Sequence, residues 1–322
     1  ISGRVIDKTT GQVVPAIIFI GVLADNPFVK EYSGWNRQEV SENDGTFRIV
    51  AIPGPVVLMG APDSRRLPGG VLESMKYKLA VPDPQYPQYF VRRFGAWHYR
   101  TERGGAAFVQ GNFCKVIEIK PGTATVHEDI FLEQATNAIR VRIQDAEGHP
   151  LNGAWVTGIS PKEWTSPIRI EEASCFAYEV AAAKPRLMVF YAPDKNLVGT
   201  LRLQGGEKQP VVVKLGPAGS VKGRLVSQEG RPVPGFVIRA AYPALEASEI
   251  SRRIDGAKQP IVTVAEGAFR IDGLIPGVDF SLYHYPSGSS PQRSTALAEK
   301  LSVHPGETRM LGDLRSKPES PE

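Results

Sequence analysis

Apolar and polar residues alternate with a period of two in two short segments that lie far apart along the chain. Phe47 and Ile49 flank Arg48, and the same Phe-Arg-Ile arrangement recurs at 269–271. Alternation with this period places one side of a strand in the core and the other in solvent. Each segment follows a Gly-bearing turn and ends near a Pro-Gly pair, where a strand ladder stops because proline has no backbone donor. The pattern therefore predicts one half-buried strand between two turns, present twice.

The surroundings of these strands repeat as well. SGRVIDKTTGQVVPA at 2–16 and KGRLVSQEGRPVPG at 222–235 both read as a strand, a Gly-bearing turn and a Val-Pro pair that leads into a second apolar run. A third copy of the same arrangement occupies 139–158. Each copy is followed downstream by a closing strand with alternating residues, at 125–134, 210–217 and 308–316. The chain therefore reads as three tandem repeats of one unit.

The middle repeat departs from the other two. SCFAYEV at 174–180 places Phe176 at the position that Phe47 and Phe269 hold in the other copies. The turn glycine is missing, and a Lys-Pro pair at 184–185 stands in place of Pro-Gly. We expect a degenerate copy of the same fold here.

The length agrees with three domains, because 322 residues divide into units of about 107, a usual size for one β-sandwich. The predicted divisions are a first sandwich at 1–134 with an insertion at about 61–113, a degenerate sandwich at 135–216, a third sandwich at 217–316 and a polar tail at 317–322. Helical patterning is confined to two segments, 67–79 and 244–254. No apolar run of about 18 residues is present, so we expect no membrane span.

The repeated motifs carry a resemblance to a known family. G-R-V, a Gly turn, P-V-P-G, D-G-x-F-x-I and a closing P-G resemble the carboxypeptidase regulatory-like domain, over residues 3–60 and 219–285. The wider layout is similar to tandem arrays of this domain in large planctomycete proteins, some of which follow a membrane-bound zinc-peptidase domain or a sigma-factor-like domain. The resemblance implies an all-β chain of three transthyretin-like, Ig-like Greek-key β-sandwiches with a non-catalytic accessory role. It implies no ligand, because this fold serves many purposes.

Catalytic and metal-binding patterns are absent from the sequence. The HPGE run at 304–307 has the H-x-x-E spacing of zinc carboxypeptidases, but its Pro-Gly pair predicts a turn and no further ligand pattern accompanies it. There is no G-x-S-x-G elbow and no phosphate-binding glycine motif. We expect no catalytic residue, no metal site and no cofactor. Cys114 and Cys175 are interpreted as ordinary thiols, with their pairing left open.

The insertion at 61–113 differs in composition from the rest of the chain. It contains nine of the 27 aromatic residues, all within 77–113: Tyr77, Tyr86, Tyr89, Phe90, Phe94, Trp97, Tyr99, Phe108 and Phe113. It also carries eight basic and four acidic residues, so its balance of +4 equals the net charge of the whole chain. The remainder of the chain is therefore neutral on balance.

Two interpretations of this insertion stand side by side. Its aromatic residues pack a small core or a domain interface, or they form a recognition surface with the nearby arginines, since aromatic residues and arginine dominate binding hot spots. The candidate binding residues lie in the segment YPQYFVRRFGAWHYR: Tyr89, Arg92, Arg93, Trp97 and Tyr99.

The functional hypothesis is a non-catalytic scaffold or spacer that contacts a protein or glycan partner, outside the cytoplasm or in the cell envelope. The alternative is an accessory or sensor region of a larger protein whose zinc-peptidase or sigma-factor-like part lies N-terminal to Ile1; a sigma-factor-like part would place the chain in the cytoplasm. Nucleic acid is not expected as a partner, because a net charge of +4 over 35.1 kDa is far below the dense basic face that phosphate binding uses.

Overall fold

A computed structural model shows that the protein is built almost wholly from β-strands, which confirms the predicted all-β class. The structure describes residues 1–31, 36–93, 96–101, 106–109, 111–161, 167–208, 210–242, 261–288 and 294–316, without the side chains of Asn36, Arg93, Ala96, Ala106 and Phe108. The predicted helix at 244–254 and the predicted tail at 317–322 lie outside these residues.

The chain forms two compact units. Unit 1 comprises Ile1–Asn137 with a short segment that begins at Ser160, and unit 2 comprises the rest of the chain from Ala138 onward. The three-domain division remains a prediction.

The described residues of unit 1 form three sheets. Its strands are β1 (Ser2–Asp7), β2 (Ala16–Val22), β3 (Asn36–Val40), β4 (Thr46–Arg48), β5 (Gly54–Pro62), β6 (Phe90–Arg93), β7 (Ala96–Arg100), β8 (Ala106–Phe108), β9 (Phe113–Ile119) and β10 (Ile130–Leu132). The strand orders are β10-β1-β4, β3-β2-β5-β9 and β6-β7-β8. Strand β1 pairs in parallel with β10 and antiparallel with β4. The insertion thus contributes a sheet of its own, β6-β7-β8.

The central sheet of unit 1, β3-β2-β5-β9, is buried on both faces. Val56 and Leu58 of β5 belong to the core shared with β1, β4 and β10. Val57 and Met59, which alternate with them, belong to a second core shared with the insertion. Because successive side chains of a strand point to opposite faces, unit 1 is a sandwich with a third layer added by the insertion.

The helical part of the insertion is shorter than the sequence predicts. Helix α1 spans Gly70–Ser74 rather than 67–79. Its start is set by two adjacent glycines, and Gly70 has φ of +59°, which no helix interior adopts. Its continuation is prevented by Tyr77, which forms an isolated β-bridge with Gln134. A 3-10 helix at Pro87–Tyr89 leads into β6.

In the part of unit 2 that the structure describes, the strands form four sheets. Its strands are β11 (Ala138–Gln144), β12 (Ala154–Thr157), β13 (Ile168–Ile170), β14 (Ser174–Tyr178), β15 (Arg186–Ala192), β16 (Leu197–Leu203), β17 (Val211–Lys214), β18 (Gly216–Pro217), β19 (Gly219–Val226), β20 (Phe236–Ala241), β21 (Ile261–Val262), β22 (Ala268–Leu274), β23 (Phe280–Pro286), β24 (Thr295–Leu301) and β25 (Thr308–Arg315), with a 3-10 helix at Pro193–Lys195. The strand orders are β14-β11-β17, β13-β12-β15-β16-β18, β22-β19-β25 and β21-β20-β23-β24. The predicted closing strands are present as β10, β17 and β25.

The position predicted for Phe176 is wrong by one residue. Phe47 and Phe269 are 5% and 6% exposed and pair with Gly3 and Gly223, whereas Phe176 is 45% exposed. The residue that corresponds to the two buried rings is Cys175, which pairs with Val141.

The physical reason is the size of the residue across the strand pair. A Cβ atom at Gly223 would lie 2.9 Å from Cζ of Phe269, and one at Gly3 would lie 3.1 Å from a ring carbon of Phe47. Gly223 therefore makes room for its ring, and at Gly3 the backbone carbonyl of Glu128 lies still closer to the Cβ position than the Phe47 ring does. In the middle repeat a valine takes the place of the glycine, a cysteine takes the place of the ring, and the neighbouring phenylalanine faces outward.

Strand β15 is buried on both faces in the same way as β5. Its residues Val189 and Tyr191 share a core with residues of the β19–β25 region, among them Ile271 and Phe280. A Cβ atom at Gly273 would lie 2.7 Å from the Tyr191 ring, so the two groups are in direct contact. This apolar cluster therefore joins β15 and β16 to the β19–β25 region within unit 2.

Candidate interaction surface

The insertion is attached to the sandwich of unit 1 through the buried carboxylate of Asp7, at the end of β1. This carboxylate accepts hydrogen bonds from the Tyr77 hydroxyl at 3.0 Å and from Gln134 Nε2 at 2.6 Å. It also accepts the backbone N–H groups of Thr9 and Thr10. A buried charge is tolerated only when it is well hydrogen-bonded, and Asp7 has four donors.

The two titratable groups of this contact have shifted pKa values. Burial alone raises the pKa of Asp7, but the hydrogen bonds from Gln134, Thr9, Tyr77 and Thr10 together outweigh it and lower the pKa. Burial, followed by the hydrogen bond to Asp7, raises the pKa of Tyr77. The pair is thus a neutral phenol that donates to a charged carboxylate.

A second polar attachment closes the insertion at its C-terminal end. Asn112 donates its side-chain amide to the carbonyl oxygens of Tyr77 at 3.0 Å and Lys78 at 2.7 Å. Its backbone N–H donates to the carbonyl oxygen of Gly60 at 2.6 Å. The C-terminal end of the insertion is therefore joined to the segment 77–78 within the insertion and to β5.

The apolar part of the attachment is a cluster between the insertion and the outer face of the central sheet. The sandwich contributes Leu23, Val57, Met59, Cys114 and Val116, and the insertion contributes Ala80, Tyr89, Phe90, Tyr99 and Val109. Burial of several large side chains is the main source of stability for such a layer, at about 1.5–3 kcal/mol for each fully buried one.

Tyr99 is the centre of this cluster and is 2% exposed. Its ring lies on Gly21 of β2, where a Cβ atom would be 2.5 Å from the Tyr99 hydroxyl oxygen. Only glycine permits this approach. The backbone N–H of Ala24 donates to the carbonyl oxygen of Arg100, which ties the end of β7 to the sandwich.

The five candidate binding residues fall into two groups. Tyr89 and Tyr99 are buried in the cluster that attaches the insertion. Trp97 is 36% exposed and pairs across the sheet with Arg92, which is also exposed. Arg93 ends β6, and its side chain lies outside the described residues. The structure thus brings Arg92 and Trp97 together as cross-strand neighbours, and the binding role of the set remains a prediction.

Sequence reasoning missed Asp7, Gln134 and Asn112 as residues that attach the insertion. Asp7 and Gln134 are 127 positions apart, and no local pattern relates them. A signal for the apolar attachment was present, because the β5 run VVLM has no polar position, which is typical of a strand buried on both faces.

One group of side chains in unit 2 has ligand atoms of the kind that hold a cation. Asp145, Glu147 and His149 offer ligand atoms that all lie within 4.8 Å of one another. They lie in the turn after β11, where His149 Nδ1 is 3.3 Å from Asp145. The HPGE run forms the predicted turn, in which the Glu307 carboxylate accepts the backbone N–H of His304 at 2.7 Å.

Both cysteines are free, buried thiols. Burial raises the pKa of each thiol to about 12. A thiol with so high a pKa is neutral at physiological pH and is a poor nucleophile. The two residues therefore act as small apolar side chains in their cores.

No helix within the described residues is long and apolar enough to cross a membrane.

Comparisons with known proteins do not identify the chain. No protein-family model matches it, and no curated protein matches it. Without such a match, the resemblance to the carboxypeptidase regulatory-like domain remains a prediction.

Several solved structures are distantly similar. The Bacillus anthracis TIE protein is 11% identical with a TM-score of 0.23, over 98% of this chain and 50% of that protein, so the chain spans half its length. The major pilin subunit BcpA of Bacillus cereus is 8% identical with a TM-score of 0.22, over 98% of this chain and 99% of BcpA. Shaft pilin SpaA from Lactobacillus rhamnosus GG is 9% identical with a TM-score of 0.23, over 56% of this chain and 96% of SpaA. At these values the likenesses carry no argument about function.

Proposed function

We propose that the chain is a non-catalytic β-sandwich scaffold whose insertion presents a binding surface for a protein or glycan partner. The observation that carries this proposal is the attachment of the β6-β7-β8 sheet to the central sheet through a buried aromatic cluster. A surface held in this way loses little conformational entropy on binding, which is the advantage of preorganisation.

The residues at the exposed end of this sheet suit such a role. Trp97 and Arg92 are cross-strand neighbours on β7 and β6, and both residue types are enriched in binding hot spots. An exposed tryptophan also offers a flat face for stacking on a sugar ring, and the balance of +4 in the insertion favours a partner that carries negative charge.

The test is binding of the purified chain to an array of glycans, cell-wall polysaccharides and envelope proteins, with the variants Trp97→Ala and Arg92→Gln. We expect Trp97→Ala to weaken binding at least about tenfold, as for an aromatic hot spot, with an unchanged melting temperature. The matched control is Phe131→Ala, which removes an exposed aromatic side chain from β10 of the same unit. Equal binding by the parent and by Trp97→Ala would contradict the proposal.

We extend the proposal to a location outside the cytoplasm or in the cell envelope. Its support is the resemblance to arrays that follow a membrane-bound domain. Fractionation of the source cells, followed with an antibody against the chain, tests it, and recovery in the cytoplasmic fraction would favour the sigma-factor-like alternative.

A further inference from the structure

Each repeat contains a sheet of the same construction, in the strand orders β3-β2-β5-β9, β13-β12-β15-β16-β18 and β21-β20-β23-β24. The strands β2, β12 and β20 come after the Gly-bearing turn of their repeat and pair antiparallel with β5, β15 and β23. Successive side chains of these strands point to opposite faces of the sheet. Each sheet therefore has a second, outer face, which can be compared between the repeats.

The outer face is covered by another layer of the chain in the first and second repeats. Val57 and Met59 of β5 lie in the core shared with the insertion. Val189 and Tyr191 of β15 lie in the core shared with the β19–β25 region. Both faces bury apolar side chains, as a face that packs against a protein layer does. The outer face is thus the surface through which these two sheets contact a neighbouring layer.

The third repeat has a charged residue on its outer face. The hydroxyls of Ser41 and Thr263 accept the backbone N–H of the first residue of β2 and of β20, respectively, which aligns the two strands. In this alignment Arg239 takes the place of Phe19, a residue that packs against the core shared with the insertion. An arginine in place of this apolar side chain indicates a different kind of partner.

The other outward positions of β20, β21 and β23 also differ from those of the covered faces. They alternate with the core residues Ile238 and Leu282 and belong to Val237, Ala241, Val262, Ser281, Tyr283 and Tyr285. The two tyrosines are partly exposed, and Val262 is 38% exposed. Together with Arg239 these positions form the β20–β23 face, whose three largest side chains all have a polar end.

The charge of Arg239 has no counter-ion in the part of the chain that the structure describes. Its Nε atom is buried without a hydrogen-bond partner, whereas its two Nη atoms are not buried in this way. A partly buried charge without a partner is unfavourable, so an anion bound at the Nη atoms stabilises the group. The planar guanidinium matches a carboxylate, which accepts two parallel hydrogen bonds from it.

Two tyrosines beside Arg239 indicate the rest of the ligand. Tyr283 is the register partner of Arg239, and Tyr285 lies two positions further along β23, about 6.7 Å away. A tyrosine offers an apolar ring together with a hydroxyl group, which suits a ligand that has flat apolar faces and hydroxyl groups of its own. Sugar rings have both, and uronic acids add the carboxylate.

We propose that the β20–β23 face binds an acidic polysaccharide, with a uronate carboxylate on Arg239 and sugar rings on Tyr283 and Tyr285. A protein layer fits less well, because serine and tyrosine stand where the first repeat has Val57 and Met59. This site lies in unit 2 and does not depend on the function proposed for the insertion.

The test is fluorescence anisotropy with labelled hexamers of galacturonate and of mannuronate, each compared with its own methyl ester, at about 20 mM salt, where screening is weak. Esterification removes the charge and keeps the sugar rings. We expect at least one of the two acids to bind the full chain about tenfold more tightly than its ester, as for a charge-assisted hydrogen bond. This comparison uses the unaltered chain, so it does not depend on the folding of any variant.

Two variants separate the contribution of the charge from that of the rings. We expect Arg239→Gln to bring the affinity for the acid down to that for the ester. Tyr283→Ala should weaken the binding of acid and ester alike, about fivefold, because it removes a stacking surface. The matched control is Arg142→Gln, which removes an exposed arginine from β11 of the same unit and leaves binding unchanged. Thermal melting verifies that each variant folds.

Three results would overturn the proposal. The first is that neither acid binds more tightly than its ester, which would show that the carboxylate is not recognised. The second is full affinity for the acid in a folded Arg239→Gln variant. The third is tighter binding of a glutamate hexapeptide than of either uronate hexamer, which would make the face a peptide site.

Discussion

The residue opposite each buried ring decides whether that ring enters the core. Gly3 and Gly223 lie across from Phe47 and Phe269, while Val141 lies across from Cys175. A substitution at either member of such a pair therefore changes the packing of the other.

This coupling predicts the behaviour of Gly223→Ala. The added Cβ atom would lie 2.9 Å from Cζ of Phe269, so we expect the free energy of unfolding to fall by about 1–3 kcal/mol. Adding Phe269→Leu removes the overlap, and the loss in the double variant should be smaller than the sum of the two single losses. Urea denaturation measures all three. Gly216→Ala is the control, since nothing lies within 4 Å of its Cβ position. A double-variant loss of stability equal to the sum of the two single losses would refute the coupling.

The lowered pKa of the Asp7 carboxyl predicts that the stability of the fold depends on pH. Its pKa is lowered from the ordinary value of 3.8, so its charged form stabilises the fold above that pH and the contribution is lost as the pH falls through the lower, folded value. We expect Asp7→Asn to be less stable than the parent by about 1–3 kcal/mol at pH 7, with a difference that narrows below about pH 4.

Thermal melting of the parent and of Asp7→Asn between pH 7 and pH 3 measures this difference. Tyr77→Phe removes one of the four donors to Asp7 and should show a smaller version of the same effect. A difference that stays constant with pH would show that Asp7 contributes through packing alone.

At the scale of elements, the alternation of residues predicted the strands, but it did not predict which surface the insertion covers. The segment 86–100 contains six aromatic residues, Tyr86, Tyr89, Phe90, Phe94, Trp97 and Tyr99, so its composition suits packing and recognition equally. The outer face of the central sheet decides which of these aromatic side chains are buried by packing. Leu23, Val57 and Met59 contribute apolar side chains to this face, and Tyr99 and Phe90 are buried against them.

This packing predicts a local effect of Tyr99→Ala. Removing the buried ring should cost about 3–5 kcal/mol, and hydrogen exchange should rise in β6, β7 and β8 while β2 and β5 stay protected. Trp97→Ala, two positions away on the same strand, is the control and should leave exchange unchanged. Equal exchange in the two variants would mean that the ring does not hold the sheet in place.

At the scale of the whole molecule, both units rely on a strand that is buried on both faces: β5 in unit 1 and β15 in unit 2. The β15 strand, RLMVFYA, has no polar position after Arg186 other than the Tyr191 hydroxyl. Such a strand lines an apolar core on each of its two faces. In unit 2 the core on one face of β15 runs from Val189 and Tyr191 to Phe280 and Leu282.

The shared core predicts how unit 2 unfolds. We expect calorimetry to show one cooperative transition for unit 2, which Tyr191→Ala shifts to lower temperature as a whole, since its ring contacts Gly273. The control is Val264→Ala, at an exposed position of the same unit. A variant in which the β11–β17 and β19–β25 regions melt separately would favour the predicted division into three domains.

By itself the sequence determined the all-β class, the position of the repeated strands and the turn at HPGE, because period-two alternation and Gly-Pro turns are local properties of the chain. Only the tertiary structure decided that Tyr99 lies on Gly21, that Asp7 accepts from Tyr77 and Gln134, and that Cys175 rather than Phe176 faces the core. These depend on residues far apart in the chain and on a register in which a shift of one position exchanges the buried and the exposed face of a strand.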